Sequence, residues 1–234
     1  MEWRKGYLDV MLIPLGFVLT IAYHLWLWYN LRTRPLRTVI GRNANGQRLW
    51  VLAMMKDIDK NNMLVVQTLR NMIMGSTLMA TTSVLLSAGL AAVVSSTYSV
   101  KKPLNDTVYG AEGEFMVAMK YVTVLTIFLL SFFCHSLSIT FLHQVSILVS
   151  SPCDPISMLT PEYVSELLEK SSTLNTVGNR LFYAALPLLL WIFGPVLVFF
   201  CFVSMVPAFY RYDFVFGSEN AKIDASGSNG GDFV

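Results

Sequence analysis

The sequence predicts an all-α, multi-pass integral membrane protein: four transmembrane helices with two cytoplasmic amphipathic helical segments. Composition points there first. Of 234 residues, 54% are hydrophobic and only 14% charged, whereas an average soluble domain carries about 25% charged residues. With a mean hydropathy of +0.54, so apolar a chain needs either a very large core, which this length cannot build, or lipid as its solvent. The second observation is run length. A hydrocarbon layer about 30 Å thick takes roughly 20 apolar helical residues, because each backbone N–H and C=O must be satisfied inside the helix.

Four stretches meet that requirement, at about 9–29, 72–98, 121–149 and 181–207, within a single domain over 1–216. Aromatic residues collect at their ends (Trp26, Trp28, Tyr29, Tyr121, Tyr210 and Tyr212), where amphipathic rings meet the headgroups. The first stretch is too long for a signal-peptide core and no small-x-small site precedes Asn30, so it is expected to be retained. Residues 217–234 are small, polar and glycine-rich and are expected to be disordered, having too little apolar surface to order them.

Basic residues set the orientation. The connector between the first two spans holds Arg32, Arg34, Arg37, Arg42, Arg48, Lys56, Lys60 and Arg70, against Arg4 and Lys5 before the first span, which predicts a cytoplasmic connector. Four spans then place both termini and the loop between spans two and three on the extracellular or lumenal side of a secretory-pathway membrane, plasma membrane or endoplasmic reticulum. The sequon Asn105-Asp106-Thr107 falls in that loop, making Asn105 a glycosylation candidate.

Each cytoplasmic segment reads as helical. Past the Gly/Asn-rich run GRNANGQ, Leu49, Leu52 or Ala53, and Lys56 follow a helical period, and from a cap at Asp59 one long helix runs straight into span two. Thr160-Pro161-Glu162 supplies a cap, a proline at the first helical position and an early acid. Val164, Leu167, Leu168 and Ser171 then form an apolar side opposite Glu162, Glu166, Glu169 and Lys170, suited to packing within the chain, to the bilayer surface or to another protein.

Within the spans, Ser83, Ser87, Ala91 and Ser95 recur every fourth residue, a small-residue ridge that lets helix backbones approach closely. Span three carries a polar stripe: Thr123, Ser131, Cys134, His135, Ser138 and Ser146 fall within about a 140° sector and must face protein or water. As a polar pathway, Thr123, Ser131, His135 and Ser138 are the candidates; hydroxyls bonding to helix carbonyls are the plainer alternative. His24 and His143 lie at similar predicted depths, and paired imidazoles on different helices can hold a b-type haem. Structural hydrogen bonding is the simpler role for both, and no cofactor is expected. Pro187 and Gly194-Pro195 predict kinks in span four. No span centre holds an acid. The three cysteines, far apart, have neither metal-ligand nor disulfide spacing, and no nucleophile elbow, phosphate loop or HExxH appears. An enzyme is not expected.

Three runs carry a family resemblance: VQTLRNMIMGSTLMATTSVLLSAGL, FFCHSLSITFLHQVSILV and NRLFYAALPLLLWIFGPV. In their order of polar and aromatic residues they resemble the plant members of the membrane-protein family catalogued as domain of unknown function 599. The similarity extends from about Tyr7 to Tyr212. It implies a multi-pass plant membrane protein and carries no catalytic residues.

The leading functional expectation is an oligomeric channel or carrier-like protein, with Asp106, Glu112 and Glu114 at a lumenal mouth. Alternatives are a scaffold or regulatory adaptor whose cytoplasmic helices bind a protein partner, and, ranked last, a haem-mediated electron carrier. The expected partners are lipid, a second copy of the chain and, for the adaptor, a cytoplasmic protein. Net charge is only +2, so nothing suggests nucleic acid.

Overall fold

A computed structural model describes residues 3–56, 58–100, 114–150 and 160–215. Among them are six α-helices: α1 (Trp3–Thr33), α2 (Val39–Lys56), α3 (Ile58–Val100), α4 (Glu114–Ser150), α5 (Pro161–Leu189) and α6 (Pro195–Asp213). Short 3-10 turns lie at Pro35–Arg37 and Leu190–Ile192. Four apolar stretches are long enough to cross a membrane: Met11–Thr33, Lys60–Ser96, Val117–Ser150 and Pro195–Asp213. The all-helical fold and its membrane-spanning character are as the sequence predicts. Asn105, the lumenal acids Asp106 and Glu112, and the tail from 216 lie outside the described residues.

Helices α3, α4 and α5 form the spine. On α4 the buried positions from Tyr121 onward are Tyr121, Val124, Phe128, Ser131, His135, Ser138, Leu142, Val145 and Val149, steps of three and four in alternation, the period of long helices that wrap around one another. Its neighbours answer with Leu69, Ser76, Ala80, Ser83, Ser87 and Leu90 on α3, and Val164, Leu168, Ser171, Gly178, Phe182 and Ala185 on α5. Helix α3 has 43 residues, about 65 Å at 1.5 Å per residue. It therefore outruns the hydrocarbon layer.

Two apolar cores are stacked along this spine. One joins Val51 of α2 to Val65, Leu69, Leu142, Val145, Val164 and Leu168. The other joins Ile13 of α1 and Val198 and Phe202 of α6 to Leu90, Val124, Phe128, Phe182 and Leu188. Helix α2 thus covers one half of the spine, and α1 with α6 the other. Lys120, one residue before the expected third span, is buried on α4, its ammonium 5.4 Å from the Trp191 ring centroid.

GRNANGQ lies inside α2, and the long helix expected from Asp59 into span two is α3, described from Ile58. The last span needs correction. The stretch 181–207 is two helices. Helix α5 continues through Pro187, tightens into the 3-10 turn and breaks at Gly194, whose φ of 152° and ψ of 154° lie in a region open almost only to glycine. Pro195 then opens α6. The chain reverses there, since Arg180 of α5 pairs with Asp213 of α6. Helix α6 consequently runs parallel to α1, with Gly16 against Phe202, His24 against Phe209 and Trp26 against Phe214. The end of α6 thereby returns to the arginine-bearing connector. Phe214 bridges to Thr38, and the Val215 amide donates to the Arg37 carbonyl at 3.2 Å.

Candidate intramembrane polar sites

The spine changes chemistry between its two cores. Here α4 contributes Ser131, His135 and Ser138, α3 contributes Ser76, Ser83 and Ser87, and α5 contributes Ser171, Asn175 and Gly178. The hydroxyls of Ser138 and Ser171 each donate to the other's backbone carbonyl, at 2.9 and 3.0 Å. Ser131 donates to the Gly178 carbonyl at 2.9 Å and lies 3.3 Å from the Ser83 hydroxyl. Ser76 donates to Asn175 Oδ1 at 3.2 Å, and Ser87 back-bonds to the Ser83 carbonyl at 2.9 Å. Serine is small enough to let helix backbones close on one another and polar enough to bond across the gap.

His135 sits inside this layer at 0% exposure, with hydrogen-bond partners for neither ring nitrogen among the described residues. A β-carbon at position 178 would lie 2.8 Å from its Nε2. Glycine is what leaves room for the ring.

Of the sequence-derived polar pathway, Ser131, His135 and Ser138 do share one face, but they are packed against α5 and α3 with no exposed surface. Thr123 is elsewhere, its hydroxyl bonded to the Met119 carbonyl of its own helix at 2.8 Å. The four-residue ridge is half realised: Ser83 and Ser87 are buried, whereas Ala91 and Ser95 are exposed. A strict step of four advances about 40° beyond a full turn each time, so the ridge winds off the contact face while Leu90 and Val94 keep to it. His24 and His143 are not brought together. His24 lies against Phe209 with ring centroids 6.1 Å apart, and His143 is exposed on the half of α4 that packs with α2, α3 and α5. The apolar side of the Pro161 helix packs within the chain, Val164, Leu167, Leu168 and Ser171 all being buried. Thr160 caps that helix, accepting from the Tyr163 amide at 3.3 Å.

A second polar cluster joins α1, α5 and α6. Asp213, the last residue of α6, is 0% exposed. Its Oδ1 pairs with Arg180 Nη2, and its Oδ2 accepts from the Tyr23 hydroxyl at 2.5 Å. The Arg180 guanidinium, only 12% exposed, also stacks on Phe209, 4.5 Å from the ring centroid. One carboxylate therefore ties three helices together. His24 lies beside Tyr23, its Nδ1 2.7 Å from the Thr20 carbonyl. Its Nε2, like Arg180 Nη1, is buried without a partner among the described residues, and both residues line a cavity of about 10 Å³ between the three helices.

Hydropathy conceals Arg180 and Asp213, because it places one just before the fourth span and the other just after it. The available signal is Gly194-Pro195. Read as a hairpin rather than a kink, it folds the apolar stretch in half and brings its two charged ends together. Among the described residues no group of three His, Cys, Asp or Glu side chains is placed to hold a metal ion.

Neither the curated proteins nor the solved structures contain a match to this chain. A family model described as a protein of unknown function, DUF599, matches residues 11–218. From the apolar run at Met11 to beyond the buried Asp213, the match takes in every helix that builds the two polar layers, and the chain belongs to the DUF599 family of membrane proteins.

Proposed function

We propose that this protein is a carrier-like membrane protein that crosses the bilayer five times and works through Tyr23, His24, Arg180 and Asp213. The observation that carries the reading is the burial of the Arg180–Asp213 pair between three helices. Outward-facing apolar side chains ring the bundle: Leu15 and Val18 on α1, Leu78 and Leu85 on α3, Val122 and Leu129 on α4, Leu186 on α5, and Phe200 and Val203 on α6. Arg180 lies between Val177 and Leu186, both exposed on α5, and so within that belt. Ionisable groups inside a membrane bundle are costly and are retained where ions, protons or substrates bind.

Helix α5 provides the fifth crossing. Its amino-terminal half is polar and packs on α2, which dilutes the apolar signal, yet Val177, Tyr183 and Leu186 face outward like their counterparts on α6. With an odd number of crossings, the end at Val215 shares the cytoplasmic face of the arginine-rich connector. An open pore along α4 has less support, since Ser131, His135 and Ser138 are enclosed. So has the adaptor, whose apolar helix side is engaged within the chain.

The test is solute flux through liposomes containing the full chain. Flux above protein-free vesicles, lost in D213N, is the expected result. No flux of any small anion or cation overturns the carrier reading.

A further inference from the structure

No acid occurs in the sequence between Asp9 and Asp57 or between Glu169 and Asp213. The first interval holds Arg32, Arg34, Arg37, Arg42, Arg48 and Lys56, and the second adds Arg180 and Arg211. The fold brings the end of α1, the turn at Pro35–Arg37, the start of α2 and the end of α6 to one place, because Phe214 bridges to Thr38. The one acid that arrives there, Asp213, is buried and paired with Arg180. The exposed acids of α5, Glu162, Glu166 and Glu169, stand no closer to Arg180 than about 16 Å along that helix, at 1.5 Å per residue. Among the described residues, the exposed Arg32, Arg34, Arg42 and Arg211 therefore form no ion pair.

Orienting a membrane protein takes basic charge but no fixed geometry, and this turn is fixed. The buried Thr38 donates its hydroxyl to the Pro35 carbonyl at 2.8 Å and accepts from the Gly41 amide at 3.1 Å. A β-carbon on residue 41 would collide with that same Pro35 carbonyl, so glycine is what lets the turn close on α2. Arg42 Nε donates to the Leu36 carbonyl at 2.8 Å, which ties the guanidinium to the turn and leaves its two terminal nitrogens to bond elsewhere. Arg32 lies over the Trp28 ring, 4.7 Å from its centroid, a stacking that keeps the guanidinium edge available to the oxygens of an anion. Leu36, the middle residue of the turn, is 59% exposed. Aromatic rings mark the depth. Trp26 stacks on Tyr210 with centroids 5.9 Å apart, and Trp28, Tyr29 and Tyr212 are exposed around them, a belt of the kind that sits where hydrocarbon meets headgroups. Arg32, one helical turn beyond Trp28, and Arg211, between Tyr210 and Tyr212, are then level with the phosphates.

We propose that the turn is a docking site for an anionic phospholipid of the leaflet that meets the arginine-rich connector. Arg32, Arg34 and Arg42 hold the phosphate and the extra negative charge of the headgroup, as guanidinium forks do, while Leu36 and Trp28 lie against the glycerol and the upper acyl chain. Charge complementarity and the adjoining aromatic belt select this occupant. The site makes no use of Tyr23, Arg180 or Asp213, so it stands or falls apart from the carrier reading. The test is native mass spectrometry of the full chain in detergent, offered equimolar phosphatidylserine and phosphatidylcholine with identical acyl chains. Phosphatidylserine adducts are expected to exceed phosphatidylcholine adducts about fivefold or more, the worth of one arginine at an anionic surface. In R32Q/R34Q/R42Q the ratio should fall to near one, whereas R48Q/K56Q/K170Q, which removes as many charges elsewhere, should leave it unchanged. Glycerophosphoserine, the headgroup without its chains, should not displace the lipid at equal concentration. A ratio near one in the unmodified protein, an equal loss in both triple variants, or displacement by the soluble headgroup overturns the assignment. Detergent has no sides, so an altered orientation in the cell cannot imitate the loss. Circular dichroism checks folding, and the three single substitutions carry the same reading if the triple variant does not fold.

Discussion

Gly178 and His135 show how one missing side chain permits one buried one. The imidazole has no surface left, and a β-carbon on residue 178 would meet its Nε2 at 2.8 Å, with the other ring atoms almost as close. G178A is expected to destabilise the protein by about 1–3 kcal/mol, the usual range for an overfilled core, read as a lower melting temperature in detergent. H135A in the same chain vacates the space, so the double variant should be more stable than the sum of the two single effects. Asp213 follows a different rule, because its partners carry charge. D213N leaves the Arg180 guanidinium buried beside a neutral amide, and breaking a buried pair from one side costs about 3–5 kcal/mol. Removing both charges in R180M/D213L should cost less than D213N alone, which thermal unfolding of the two variants will compare. None of these contacts was legible in the sequence. Gly178 is one glycine among fourteen, and Arg180 and Asp213 are separated by an apolar stretch that conceals their meeting.

At the scale of the element, the sequence displays run length and period far better than direction. The existence of α1 and α4 follows from hydropathy, and the start and apolar face of the amino-terminal half of α5 from the Thr160-Pro161 cap and the spacing of Val164, Leu167 and Leu168. The α3 contact face was read as steps of four, although packing along an antiparallel neighbour requires threes and fours in alternation, so Leu90 rather than Ala91 continues it. The reversal after α5 was missed because a hydropathy window sums composition and is blind to a single backbone angle. That angle belongs to Gly194. Its φ of 152° and ψ of 154° make G194A strained by about 1–3 kcal/mol wherever the side chain points. The strain falls on the α5–α6 turn, so α6 should loosen first. Faster labelling of Cys201 on α6 by a membrane-permeant thiol reagent in G194A, with labelling of Cys134 on α4 unchanged, is the expected signature.

For the whole molecule, the question is how many times the spine and its cover cross the lipid. Trp3 and Thr33 stand at opposite ends of α1, and the end at Val215 is hydrogen-bonded to Arg37, beside Thr33. Any bilayer that α1 spans must therefore separate the amino-terminal end of α1 from both the arginine-rich connector and the end of α6. The five crossings proposed above satisfy that geometry, with α3 and α5 running one way and α1, α4 and α6 the other. Basic residues agree, since Arg32, Arg34, Arg37 and Arg211 then gather on a single face, as cytoplasmic basic residues do. Tags inserted after Asn43 in α2 and after Val234 are accordingly expected to be reached by impermeant reagents from the same side of sealed vesicles. A tag before Met1 should be reached only from the other side, and carbonate washing should leave the protein in the membrane. A carboxyl-terminal tag found on the amino-terminal side would mean that α5 does not cross, which would lift Arg180 and Asp213 out of the lipid layer and remove the reason for treating them as a site.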